Sequence, residues 1–201
     1  MLLTTALVVA MLHVASSLPS QTEASVCIAM PRVQIVQGDA ATAAAGLRDM
    51  FASYLTGPTL KSVALEARLA SQAMEEARVK NCERVLLASL TQKRKGPSRL
   101  GKVVGEAAEG ALWHVPGGYS AGSAAARSAA VAGARAISTV SSTTRARDEF
   151  RLEYRLDTAD GRPILRPKTE QMKARTDGED LLTPLVEKAS EAVAAAMTAK
   201  Q

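Results

Sequence analysis

The feature that most constrains this chain is the alternation across residues 149–157. Phe150, Leu152, Tyr154 and Leu156 are apolar, and Glu149, Arg151, Glu153 and Arg155 between them are charged. Successive side chains of a strand point to opposite faces, so this segment is a strand with one buried and one wet face. Residues 158–161 form a turn in which Gly161 takes the positive φ. A return strand follows over 164–173, with Pro163 and Pro167 marking it as irregular or as an edge. The chain closes with a helix capped by Asp177 or Thr183. Pro184 sits in its first turn, and Leu181, Leu182, Leu185, Val186, Ala189, Val193 and Met197 form its core face.

Upstream, residues 31–37 read as a strand with Val33 and Ile35 on one face. Asp39 caps a helix that buries Leu47, Met50, Phe51, Tyr54 and Leu55 and stops at Gly57-Pro58. A second strand covers 61–66, and a helix runs from Ser71 to Lys80 and ends at Asn81-Cys82. The near-continuous apolar run at 84–92 predicts a third strand buried on both faces. The order is β-α-β-α-β, an inset, a β-hairpin and a terminal helix. That predicts an α/β (α+β) fold of two or three layers on a mixed sheet, parallel early and antiparallel late. With 201 residues and 47% hydrophobic content the chain is long enough for one core.

Residues 1–24 read as a signal peptide, cleaved after Ser17 or Ala24, because 2–14 is uncharged and apolar and small residues follow. The run falls short of the ~20 residues a span needs. Without those residues the chain has 25 Lys and Arg against 19 Asp and Glu, a net +6. The stretch 93–147 holds nine of the basic residues and two acids, Glu106 and Glu109, so it carries +7 and the remainder −1. Charge confined to one segment implies a surface for an anionic partner. Cys27 precedes the first strand and Cys82 the third. Parallel strands start at one edge of a sheet, so in an oxidising compartment these cysteines are expected to pair.

The passage 73–92, a helix running into Asn-Cys-Glu-Arg-Val-Leu-Leu-Ala-Ser-Leu-Thr, resembles a family of envelope domains. That family includes the curli-secretion channel subunit and the N-terminal domain of the Tol-system protein TolB. The hairpin and helix of 149–197 resemble the family's closing segment. The resemblance covers 28–93 and 148–198 and implies a periplasmic α/β envelope domain. Cys82 replaces the family's small residue. The inset has no counterpart in the pattern, and its Ala/Gly-rich sequence does not match the β-hairpins that span membranes in the channel subunits.

The domain is therefore expected at 25–93 and 148–201, with an inset at 94–147. Within the inset, residues 100–113 and 119–140 read as two helices around a Pro116-Gly117-Gly118 turn. Gly101 and Gly105, and likewise Gly122 and Ala126, are spaced for close helix packing. Lys93, Arg94, Lys95 and Arg99 form a basic flank, and Trp113 and Tyr119 border the turn. Together these are the candidate contacts to an anionic membrane surface or a partner. A low-complexity loop and an ordinary packed hairpin are the competing readings. Lys102, Glu106, Glu109, Arg127 and Arg135 weigh against full membrane crossing.

Gly118-Tyr119-Ser120-Ala121-Gly122 spells the nucleophile-elbow pattern, but a Pro-Gly turn precedes it and no His follows. After the leader His114 is the one histidine, too few for a multi-His metal site or a triad. There is no phosphate-binding glycine loop. The basic flank lacks the interleaved aromatics of a nucleic-acid surface. The sequence thus predicts a non-enzymatic periplasmic or secreted envelope protein, with no cofactor, no metal and no nucleic-acid partner. The inset serves self-association, an envelope-protein partner or the membrane surface. The second function class is a peptide- or ligand-binding module that uses the sheet edge or the crevice at the strand C-termini, with the inset a passive loop.

Overall fold

A computed structural model describes residues 24–58, 60–94, 134 and 138–199. Its six strands are β1 (Ala24–Ile28), β2 (Arg32–Gln34), β3 (Leu60–Ala64), β4 (Arg84–Lys93), β5 (Glu149–Thr158) and β6 (Pro163–Lys173). They form one mixed sheet in the order β3-β1-β4-β5-β6, with β2 also pairing β4. The strands before the inset are parallel, and β5 and β6 are antiparallel to their neighbours. This is the α/β architecture expected, with one early difference. The first strand begins at Ala24 rather than near residue 31, so Cys27 lies inside β1 and not before it.

Helices α1 (Ala40–Leu55) and α3 (Leu182–Thr198) pack against each other and cover one face of the sheet. Phe150, Leu152, Tyr154 and Leu156 point into that core, each at most 2% exposed. Asp39 caps α1 as predicted, its carboxylate accepting from the Ala41 and Thr42 N–H groups at 3.0 and 3.2 Å. Tyr54, expected on the buried stripe, is instead 43% exposed. The cap of α3 is neither Asp177 nor Thr183. Asp180 accepts from the Leu182 and Thr183 N–H groups at 3.0 and 3.2 Å, because a capping carboxylate reaches the N–H groups two and three residues ahead of it.

The opposite face carries α2 (Ala70–Val79), which buries Cys27, Ala29, Leu65, Ala73, Ala77, Cys82 and Val85 in a smaller cluster. That cluster stops short of the far half of β4. Val85, Leu86, Leu90 and Gln92 are buried, whereas Leu87, Ser89 and Thr91 are half-buried and alternate with them. The expectation of a strand buried on both faces fails there, because the third layer is incomplete.

Local sequence places Cys82. Asn81 takes φ 55°, its N–H donates to the Arg78 carbonyl at 3.1 Å, and the Cys82 N–H donates to the Ala77 carbonyl at 2.9 Å. This left-handed ending satisfies the last carbonyls of α2 and turns the chain back to the sheet beside β1. A disulfide joins Cys27 to Cys82 with their Cα atoms 5.8 Å apart. Both are buried, and the bridge closes a loop of 55 residues. Replacing both cysteines by alanine is expected to lower unfolding stability by about 2–4 kcal/mol. Urea unfolding of the oxidised chain and of the double variant checks it.

Candidate functional site

The inset leaves from β4 and returns to β5, and the register pairs Lys93 directly with Glu149. Both ends therefore emerge at one point of the sheet. Residues 138–143 are helical, and Val140 is 1% exposed within the main core. Thr144 is equally buried, and its carbonyl accepts from the Gly178 N–H at 3.0 Å. The Arg147 N–H donates to the Ala174 carbonyl at 2.8 Å. Residues 138–147 thus pack with the α/β domain. A segment that buries Val140 and Thr144 is part of the core it packs into.

At this root lies Asp148, with a side chain 1% exposed. Its carboxylate accepts from Gln92 Nε2 at 2.7 Å, from Arg94 Nε at 3.0 Å and Nη2 at 2.9 Å, and from the Arg145 N–H at 3.0 Å. Gln92 Oε1 accepts in turn from the Val36 N–H at 3.1 Å. Arg94 also donates to the Thr143 carbonyl at 2.8 Å and to Gln37 Oε1 at 3.3 Å. One carboxylate so ties together the end of β4, the returning chain before β5 and the loop after β2. Burial pushes the Asp148 pKa up. The hydrogen bonds from Arg94, the Arg145 N–H and Gln92 outweigh that, and the group is held below its ordinary value.

A second carboxylate braces the same region from outside. Asp177 accepts from the Ala146 N–H at 2.7 Å and pairs with Arg145 at 3.3 Å. Four donors, Gln92 Nε2, Arg94 Nε and Nη2 and the Arg145 N–H, are aimed at Asp148. Its chemistry is that of a clamp. Among the described residues no group of three or more His, Cys, Asp or Glu side chains is placed to hold a metal ion. Among them, too, no helix is long and apolar enough to cross a membrane.

Of the sequence-predicted contact residues, Lys93 is exposed at the root. Arg94 is not a free surface cation: it turns back onto Asp148 with its side chain 24% exposed. Lys95, Arg99, Gly101, Gly105, Trp113, Tyr119, Gly122 and Ala126 lie outside the described residues, as do residues 1–23, over which the signal peptide was expected. Asp148 and Gln92 were not singled out from sequence, although a signal existed. They are polar residues at the positions where the two strands' inward alternation continues, two residues before Phe150 and two after Leu90.

No family model matches the chain, and no curated protein matches it. Among solved structures, the PelC dodecamer from Paraburkholderia phytofirmans is similar, with a TM-score of 0.48 and 14% identity over 90% of this chain and 91% of that chain. A point variant of that dodecamer gives a TM-score of 0.44 and 13% identity, over 83% and 86%.

Removing the Arg94 guanidinium leaves a buried carboxylate short of its charged partner, so Arg94→Ala is expected to lose about 3 kcal/mol at pH 7. The folded-state pKa of Asp148 is depressed, so its contribution is present above the unfolded value near about 4. It is lost as pH falls through the folded value. The gap between wild type and Arg94→Ala should therefore close in acid, as denaturant unfolding from neutral pH to below pH ~4 would show.

Proposed function

We propose that this chain is an exported, non-enzymatic envelope protein. Its α/β domain presents the basic, Ala/Gly-rich inset for self-association or for contact with an anionic membrane surface. The observation that carries this reading is the convergence of both inset ends on the Asp148 clamp, with Lys93 opposite Glu149. A passive insertion needs no buried ion pair at its base, whereas a segment that must present its charge in a fixed direction does. Three further features support the reading. The first residues are an apolar run of leader type, and the two cysteines are bridged, as oxidising compartments favour. The net charge of the chain beyond its leader lies in 93–147. With Arg94 matched to Asp148 and Arg145 to Asp177, the charge of 93–147 rests chiefly on Lys93, Lys95, Arg99, Lys102, Arg127, Arg135 and Arg147.

The position of β1 bears on processing. Cleavage after Ser17 leaves that strand whole, whereas cleavage after Ala24 removes the residue that pairs with Leu60.

Replacement of 96–137 by a short Gly/Ser linker leaves Val140, Thr144 and the clamp in place. The chain starting at residue 18 is expected to float with phosphatidylglycerol vesicles at low salt, or to form a defined oligomer in light scattering. The shortened chain should do neither while unfolding at the same denaturant concentration. Equal behaviour of the two would refute the role given to the inset.

A further inference from the structure

The half of the sheet that α2 leaves bare carries a cleft of about 300 Å³. It lies at the C-terminal ends of the parallel strands β1 and β3. Open α/β sheets commonly take ligands in that position, and the volume suits a small organic molecule. Its walls combine three arginines, Arg32, Arg68 and Arg155, with Met30, Leu87 and Pro167.

The way Arg32 reaches the cleft is built into the sheet. Ile28 pairs with Leu86, and Arg32 with Ser89, so the β1–β2 lane spends four residue steps where β4 spends three. The extra residue is a β-bulge, which reverses the facing of everything after it. Ile28 points into the main core, and beyond the bulge the core-facing residues are Val33 and Ile35. Without the bulge, Arg32 would share the facing of Ile28. With it, Arg32 stands on the open face in one row with Ser89 and Glu153.

Arg68 is held comparably firmly. The N–H groups of Glu66 and Ala67 donate to the Glu76 carboxylate at 3.0–3.2 Å, and the Met30 N–H donates to the Ala67 carbonyl at 3.0 Å. The loop that bears Arg68 is thereby fixed to both α2 and the bulge.

The charges in the cleft do not cancel. Glu153 pairs with Arg151 at 2.7 Å, and Arg155 with Asp157 at 3.1 Å. Arg32 and Arg68 have no ion pair among the described residues. Two unmatched guanidinium groups beside an apolar wall match one ligand chemistry: an oxyanion head, which guanidinium binds through two parallel hydrogen bonds, on an apolar body.

We propose that this cleft binds a small organic oxyanion, a phosphate or carboxylate. Its head would meet Arg32 and Arg68, and its body would lie on Met30, Leu87 and Pro167. The second function class of the sequence thereby gains a specific site, independent of the role of the inset.

The test is calorimetric titration of the disulfide-bonded chain starting at residue 18 with phenyl phosphate, benzoate, inorganic phosphate and phenol. Phenyl phosphate or benzoate should bind saturably, and at least about tenfold more tightly than inorganic phosphate or phenol. Arg32→Ala/Arg68→Ala should weaken that binding by about tenfold or more. Both side chains are exposed, so the unfolding midpoint should not move. The pair Lys61→Ala/Lys173→Ala, which removes the same charge elsewhere, should bind as wild type. No saturable binding below about 10 mM, equal binding by the double arginine variant, or equal loss in the lysine pair would overturn the assignment.

Discussion

The structure depends most on one buried carboxylate. Asp148 stands immediately before β5, where the chain enters the sheet beside the end of β4. It engages the end of β4, through Gln92 and Arg94, and the segment before β5, through the Arg145 N–H. A buried ion has no stabilising effect by itself, since desolvation opposes it. Here the carboxylate is satisfied by four donors from two parts of the chain, the end of β4 and the segment before β5. Its value is geometric: it ties the end of β4 to the start of β5 in the register that pairs Lys93 with Glu149. From that register follow the inward row of Phe150, Leu152, Tyr154 and Leu156 and the face on which α1 and α3 pack.

The sheet is covered unequally on its two faces. One face is sealed by two helices and carries the stability of the domain. The other is sealed only where α2 and the Cys27–Cys82 bridge lie, and beyond them it stays wet and charged. The bulge between β1 and β2 belongs to that arrangement. It keeps Val33 and Ile35 in the core while turning Arg32 outward beside Ser89. The two surfaces proposed for interaction both lie on β4, the root of the inset at one end and the arginine cleft midway along it.

How much of this the sequence reveals differs by residue. The strand at 149–157 is legible because water on one side and core on the other write a period of two into it. β1 is not, because Ala-Ser-Val-Cys-Ile is only five residues long and from Val26 onward uniformly apolar, so it shows no period of two. The cap of α3 is ambiguous for a chemical reason. Asp177, Glu179 and Asp180 lie within four residues, and each carboxylate satisfies different N–H groups: Ala146 for the first, Arg175 and Thr176 for the second, the helix for the third. Composition cannot apportion them. Arg94 sits in a run of three basic residues that reads as a solvated flank, yet it shares the inward facing of Gln92 and Leu90. The cleft is hidden for a related reason: a bulge of one residue changes which face Arg32 occupies, and Pro31 marks an irregularity there without fixing which residue is extra.

Hydrogen exchange on Asp148→Asn tests the clamp most directly. The amide retains the shape of the side chain but gives up its charge and half its acceptor capacity. If Asp148 ties the inset root together, amides in 34–38 and 138–148 should exchange faster in concert, while those in β1 and in 84–88 keep wild-type protection. Unchanged exchange at the root would contradict the account. So would a uniform rise across the whole sheet, which would make Asp148 a contributor to global stability and nothing more.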